Sequence, residues 1–261
     1  MKYVHRLILI SVVLLSLPVR ADTVSGTAGA GFQSWSAGNL NTNGKPYWDN
    51  PSFDGANQSI GYLLTGLSPT PLPGAPGAIP FWGNTYNSST DTGGTPDLNF
   101  FFNNTGSSTQ VTLKLEISAH SASNEFGWYD IANPGVLNLI FPGSASAGNQ
   151  MNVALSSQYG FYLRGADGNV YRTQSSLNPA GEQSHQHFSL FQQSAAPGVE
   201  IHWLGIEDLS LAQLAGGEGV TGDYNDMVIR LACVPEASSF DLFTLGAFLL
   251  VFIFRNRFCI G

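Results

Sequence analysis

From residue 98 onward, apolar residues recur in short stretches separated by glycine, asparagine and proline. Between Val111 and Ile117 every second residue is apolar, which is the period of a strand with one buried and one solvated face. On this pattern Glu116 belongs to the solvated face. Further candidate strands follow at spacings of about 8–12 residues, at 98–102, 125–131, 136–141, 151–155, 159–163, 169–173, 186–191, 199–206 and 226–232.

Turn chemistry between these stretches favours antiparallel pairing. Ala166-Asp167-Gly168 separates two candidate strands and predicts a hairpin turn. Only one short helix is predicted, over residues 208–214. The pattern therefore predicts an all-β fold, a β-sandwich or jelly roll, over residues 98–233. Residues 22–97 form an irregular region rich in glycine and proline, in which 66–97 is interpreted as a loop or linker, and the pattern leaves open whether this region joins the sandwich.

Both ends of the chain have the composition of targeting segments. Residues 1–21 are predicted to be a secretory signal peptide, because positive residues precede an apolar stretch that ends in small residues, with cleavage after Ala21. Near the other end, residues 240–254 are apolar and are followed by Arg255 and Arg257. As a helix this stretch would span about 22 Å, short of the roughly 30 Å hydrocarbon core of a bilayer. It predicts a transient membrane association.

Charge excludes one class of partner. Only 11% of the residues are charged, and the formal net charge is −8. Between residues 23 and 233 the sequence contains five basic and fifteen acidic residues, a net charge of −10. Because phosphate backbones require a basic surface, nucleic acid is not an expected partner.

Acidic residues are concentrated at the ends of two neighbouring candidate strands. Glu207 and Asp208 follow the first of them, and Asp223, Asn225 and Asp226 precede the second. If the strands pair as a hairpin, these side chains meet at one end of the sheet. Calcium prefers six to eight oxygen ligands from carboxylates, amides and carbonyls, so the five residues are the predicted metal ligands. Two alternatives remain, an Asx turn without an ion and pairing of Glu207 or Asp208 with Arg230.

The C-terminal segment resembles a PEP-CTERM sorting signal. Residues 234–261 contain Pro235-Glu236-Ala237, where the family has Pro-Glu-Pro, followed by the apolar stretch 240–254 and a basic cluster. The resemblance implies processing by an exosortase-type enzyme in a Gram-negative bacterium. It also implies delivery to the cell envelope, the outer surface or the extracellular matrix.

The acidic segment resembles a second family. Gly205-Ile206-Glu207-Asp208, a variable loop and Asp223-Tyr224-Asn225-Asp226 match a domain of unknown function found in PEP-CTERM proteins and in calcium-dependent bacterial surface adhesins. The resemblance covers approximately residues 125–232. It implies an all-β fold and calcium association, and Tyr224 is expected to pack inward.

The sequence thus predicts an exported structural or adhesive protein with a calcium-stabilised β domain, and its expected partners are extracellular polysaccharide or surface proteins. The first alternative is a carbohydrate-binding module, in which Trp82, placed in the loop, would be the exposed stacking residue. The second is a secreted hydrolase. No nucleophile-elbow Gly-x-Ser-x-Gly motif occurs in a strand-turn-helix context, so the chain is not predicted to be an enzyme, and no catalytic residues are assigned.

Overall fold

The computed structural model describes residues 22–26, 32–35, 59–65, 72–75, 79–82, 99–105, 108–196, 199–217 and 223–234. These residues form an all-β sandwich of two antiparallel sheets, as the sequence predicts. The strands are β1 (Thr23–Gly26), β2 (Phe32–Trp35), β3 (Ile79–Trp82), β4 (Phe100–Asn103), β5 (Ser108–Glu116), β6 (Glu125–Asp130), β7 (Asn133–Phe141), β8 (Gln150–Val153), β9 (Gln158–Arg164), β10 (Val170–Arg172), β11 (Phe188–Ala196), β12 (Val199–Ile206) and β13 (Met227–Val234).

The strands divide into a first and a second sheet. The first sheet has the order β1-β4-β9-β6-β7, and β10 pairs with β9. The second sheet has the order β2-β3-β11-β12-β13-β5-β8. The predicted hairpin is confirmed, because β9 and β10 pair antiparallel with Arg164 opposite Val170, and Gly168 in the turn has φ +80°. That left-handed conformation favours glycine.

Apolar side chains from both sheets pack between them as the main core. The first sheet contributes large aromatic rings, and the second contributes branched aliphatic residues. Members from the first sheet include Phe102, Phe126 and Phe161, and members from the second include Leu113, Leu204 and Ile229. Phe126 and Phe161 stack with ring centroids 5.3 Å apart. The alternation that predicted the strands therefore reflects burial against the opposite sheet.

A second apolar cluster covers the outer face of the second sheet. Phe191, Ile201 and Trp203 project there from β11 and β12. The short helix α1 (Ile60–Thr65) covers them with Ile60, Leu63 and Leu64, all of which are buried. The central strands of the second sheet are thus covered on both faces.

The irregular N-terminal region contributes to both sheets. β1 pairs with β4 of the first sheet, and β3 pairs with β11 of the second. The interpretation of 66–97 as a loop is therefore wrong at β3, and Trp82 belongs to a strand whose main chain lies opposite Leu190. Proline and glycine around β3 obscured it, because only four residues form the strand.

The second short helix is fixed by its own first turn. Helix α2 (Leu211–Ala215) begins after Ser210, whose hydroxyl accepts the main-chain N–H of Gln213, while the Gln213 side chain accepts the N–H of Ser210. This capping box supplies partners for main-chain groups that the helix leaves unpaired. The predicted helix over 208–214 is confirmed with a later start.

The predicted signal peptide, residues 1–21, and most of the predicted sorting segment, from residue 235 to 261, lie outside the described residues. Within the described part of the chain, no helix has the length and hydropathy needed to cross a membrane.

Candidate metal centre

The two halves of the acidic motif meet at one end of the second sheet. β12 ends at Ile206, and β13 begins at Met227. The two strands pair antiparallel with Gly205 opposite Val228. A single parallel bridge then joins Ile206 to Asn225 beyond the regular ladder. The predicted pairing of these strands is confirmed, and it brings residues 207–208 beside residue 226.

Three carboxylates form a cluster at this point. One oxygen each from Glu207, Asp208 and Asp226 lies within 4.8 Å of the others, and these residues are the only such group of acidic, histidine or cysteine ligands in the described parts of the chain. Glu207 is 1% exposed and Asp208 is 3% exposed. Close carboxylates of this kind repel one another strongly when all are ionised.

The local environment disfavours ionisation of Asp226. Burial raises the pKa of its carboxyl group, and the charges of Glu207 and Asp208 raise it further. The main-chain N–H of Asp208 opposes this effect by donating to Asp226 Oδ2 over 3.0 Å. Without a cation, the cluster is therefore expected to retain a proton near neutral pH.

The connection between β5 and β6 holds Asp208 in place. The Ser118 hydroxyl donates to Asp208 Oδ2, and Asn124 Nδ2 donates to the same oxygen over 2.8 Å. Asn124 is fully buried. Neither Asp208 nor Asp226 forms an ion pair with a lysine or arginine of the described chain. The alternative pairing of Asp208 with Arg230 is therefore wrong.

Glu116 also faces this cluster, although the alternation predicts a solvated position. The prediction fails because of a β-bulge. Leu113 lies opposite Ile229 and Leu115 lies opposite Val228, which leaves Lys114 as the extra residue of β5. Leu113 packs between the sheets, whereas Leu115 packs on the outer face. The bulge exchanges the two faces of the strand.

The consequence of the bulge is a buried carboxyl group. Both carboxyl oxygens of Glu116 are inaccessible to solvent and have no hydrogen-bond partner. Burial raises the pKa of Glu116 to about 8, the charge of Asp208 adds to this shift, and the nearby Asn124 amide opposes it without forming a hydrogen bond of ordinary geometry. The sequence pattern therefore does not identify Glu116, Ser118 or Asn124 as residues of the site. The uninterrupted alternation from Val111 to Ile117 gives no sign of the bulge.

The other two predicted ligands shape the turn before β13. Asp223 and Asn225 are 5% and 3% exposed, but the Asp223 carboxylate is not a member of the three-residue cluster. The main-chain oxygen of Asp223 accepts the N–H of Ile60 over 2.7 Å, which joins the turn to α1. Asn225 forms the bridge to Ile206.

Tyr224 fixes the conformation of this turn. Its φ angle is +51°, a left-handed conformation that is costly for a bulky residue. Its hydroxyl donates to the main-chain oxygen of Gln186 over 2.5 Å, and its ring packs in the outer cluster. The expectation that Tyr224 packs inward is confirmed, since it is 3% exposed.

A histidine network fixes the main chain of Glu207 from the other side. The N–H of Glu207 donates to the carbonyl oxygen of His187 over 3.0 Å, and His187 Nδ1 lies 3.0 Å from the carbonyl oxygen of Glu207. Since a carbonyl only accepts, Nδ1 carries the hydrogen. His187 Nε2 lies 3.3 Å from Glu182, whose other oxygen accepts the N–H of Leu211. Helix α2 and β11 thus hold Glu207 at the cluster.

No family model matches the chain, and no curated protein matches it significantly.

The donor set suits a hard divalent cation. All three cluster residues offer carboxylate oxygens, the ligand type that calcium and magnesium prefer. A buried acceptor without a donor, Asn124 Oδ1, also lies beside the cluster, because the same amide donates to Asp208. A cation would neutralise the repulsion that now raises the pKa of Asp226. The residues present fit a calcium ion, and Glu207, Asp208 and Asp226 would hold it.

Proposed function

We propose that this chain is an exported structural or adhesive protein of the cell envelope or extracellular matrix, whose sandwich is stabilised by calcium. The observation that supports the calcium site is the convergence of Glu207, Asp208 and Asp226, with one oxygen of each within 4.8 Å of the others. Export is supported by the sequence of residues 1–21 and 234–261 alone.

Calcium at this position would have a mechanical role. The site lies where β12 ends and β13 begins, and Asp208 is also bound to the β5–β6 connection through Ser118 and Asn124. An ion held here would join segments that are far apart in sequence. This is the behaviour expected of a surface protein that must stay folded outside the cell. Its expected partners are extracellular polysaccharide or other surface proteins, and its processing enzyme is of the exosortase type.

The proposal is tested by the melting temperature of the full-length protein with calcium and with chelator. Calcium at 100 times its Kd contributes about 2.7 kcal/mol, which corresponds to a rise of about 5–10 °C for a domain of this size. The Asp208→Asn/Asp226→Asn double variant should lose the rise. The matched control is Glu125→Gln, whose carboxylate pairs with Arg164 on the first sheet and should leave the rise unchanged. Absence of any rise in the unsubstituted protein would refute the calcium site.

A further inference from the structure

Unsatisfied buried oxygens are concentrated beside the acidic cluster. Among the described residues, four buried side-chain oxygens have no hydrogen-bond partner, namely Thr112 Oγ1, Glu116 Oε1, Glu116 Oε2 and Asn124 Oδ1. Three of these four atoms belong to residues that interact with Asp208. Native proteins leave few buried polar atoms unsatisfied. A local excess of acceptors over donors indicates a missing positive partner.

The side chain of Asn124 gives evidence for a cation that does not depend on the carboxylates. It is 0% exposed, and its amide is fixed at the cluster because Nδ2 donates to Asp208 Oδ2 over 2.8 Å. Its Oδ1 therefore lies within the same buried region but accepts from nothing. An amide oxygen is a common ligand of calcium, and a cation between it and the neighbouring carboxylates would give it a partner.

The pairing of β5 with β13 places Glu116 next to the cluster. It lies opposite Met227, the residue after Asp226, and the N–H of Ile117 donates to the main-chain oxygen of Asp226 over 3.0 Å. The bulge at Lys114 turns its carboxyl group into the molecule. No lysine or arginine of the described chain pairs with Glu116. The three clustered carboxylates, the Asn124 amide and the Glu116 carboxyl group therefore lie at the end of the sheet where three strand ends and one loop converge, although Glu116 is not a member of the 4.8 Å cluster.

We propose that Glu116 and Asn124 are further ligands of the cation that Glu207, Asp208 and Asp226 hold. The inference rests on the proposed calcium site and extends it to five residues. Calcium takes six to eight oxygen ligands, which the three motif carboxylates alone supply only with bidentate binding or several waters. The two added residues bring ligands from β5 and from the β5–β6 connection. The ion would therefore clamp that connection onto the ends of β12 and β13.

Terbium is the probe for this inference, because it replaces calcium at oxygen sites and its luminescence lifetime in H2O and D2O counts bound waters. The test variant is Glu116→Leu in the full-length protein. Leucine removes both oxygens without burying a new polar group, so the variant is expected to fold. The matched control is again Glu125→Gln, a carboxylate on the first sheet.

The expected result is a loss of affinity for calcium and terbium of at least about tenfold in Glu116→Leu, with one or two additional waters on the bound terbium. Asn124→Asp, which keeps a ligand oxygen, should retain binding, whereas Asn124→Ala should weaken it. If the unsubstituted protein binds both ions and Glu116→Leu leaves affinity and water count unchanged, the inference is overturned and the three-carboxylate site stands. If the unsubstituted protein binds neither ion, the proposed site itself fails.

Discussion

The main-chain oxygen of Tyr224 lies 2.6 Å from the position that a Cβ atom on Gly205 would occupy. Ser189 Oγ, at 2.7 Å, also approaches that position. Gly205 is therefore required by the close approach of the turn before β13. The glycine that begins the Gly205-Ile206-Glu207-Asp208 motif has a steric role, and it lets the two halves of the acidic site come together.

Substitution of Gly205 by alanine should destabilise the protein by about 1–3 kcal/mol, the usual cost of inserting a methyl group into a packed region. The atoms in contact are main chain and β11, which cannot move away freely. Gly181→Ala is the matched control, because nothing lies within 4 Å of its Cβ position. Denaturant unfolding measures both. Equal stability of the two variants would contradict the steric role of Gly205.

The Asp22 carboxylate is expected to stabilise the fold by joining the two sheets. Its buried carboxylate accepts from Tyr159 Oη over 2.6 Å, from Thr109 Oγ1 over 3.1 Å and from the N–H of Thr105 over 3.1 Å. These donors come from both sheets. Asp22→Ala leaves them unsatisfied and should cost about 2–4 kcal/mol in denaturant unfolding.

The matched variants for Asp22 separate charge from hydrogen bonding. Tyr159→Phe removes one donor and should cost about 1 kcal/mol, and Asp22→Asn, which keeps one acceptor, should lie between the two. An Asp22→Ala protein as stable as the unsubstituted protein would show that β1 is not fixed through this carboxylate.

Much of this architecture follows from the alternation of apolar residues, and the exceptions have identifiable causes. The sequence predicts strands β4 to β13 because each has apolar residues that pack in one of the two clusters. The short strand β3 was missed because proline and glycine surround four residues. Glu116 was misplaced because a bulge depends on the pairing of β5 with β13, which local sequence does not encode.

The sequence predicts the acidic site only in part, because some of its contacts join residues that are far apart in the chain. Glu207, Asp208 and Asp226 flank strands whose pairing could be inferred, and the structure brings them together. Asp223 lies in the same motif, but its main-chain oxygen accepts the N–H of Ile60, a residue more than 150 positions earlier in the chain. Asn124 could not be found from sequence, because its contact with Asp208 spans 84 residues.

His202 should make the protein sensitive to acid. It is 2% exposed, and burial lowers the pKa of its imidazole from 6.5 to about 4. Below pH 6.5 the unfolded chain binds a proton at this residue and the folded protein does not, so the free energy of unfolding falls as the pH is lowered from 6.5 to 4. The contribution over this interval is about 3 kcal/mol.

The measurement for His202 is the slope of unfolding free energy against pH, with chelator present throughout. His202→Gln should reduce the proton uptake on unfolding between pH 6.5 and 4 by about one proton. His185, whose pKa burial also lowers to about 4, remains in both proteins and does not affect the difference. Parallel pH profiles would contradict the assignment.

Asp226→Asn should have opposite effects with and without calcium. In chelator, the variant removes a carboxyl whose pKa is raised by burial and by Glu207 and Asp208. It should therefore stabilise the calcium-free protein by about 1–2 kcal/mol near pH 7. With calcium the same variant should be less stable than the unsubstituted protein, because it has lost a charged ligand. Thermal melts in chelator and in millimolar calcium measure both signs, and a loss of stability in both conditions would indicate a structural role for the carboxylate alone.

The most direct test of the account is a crystal structure of the protein grown with calcium. The expected result is a calcium ion bound by Glu207, Asp208 and Asp226 at oxygen distances of about 2.3–2.6 Å. An intact carboxylate cluster that holds no ion in millimolar calcium would contradict it.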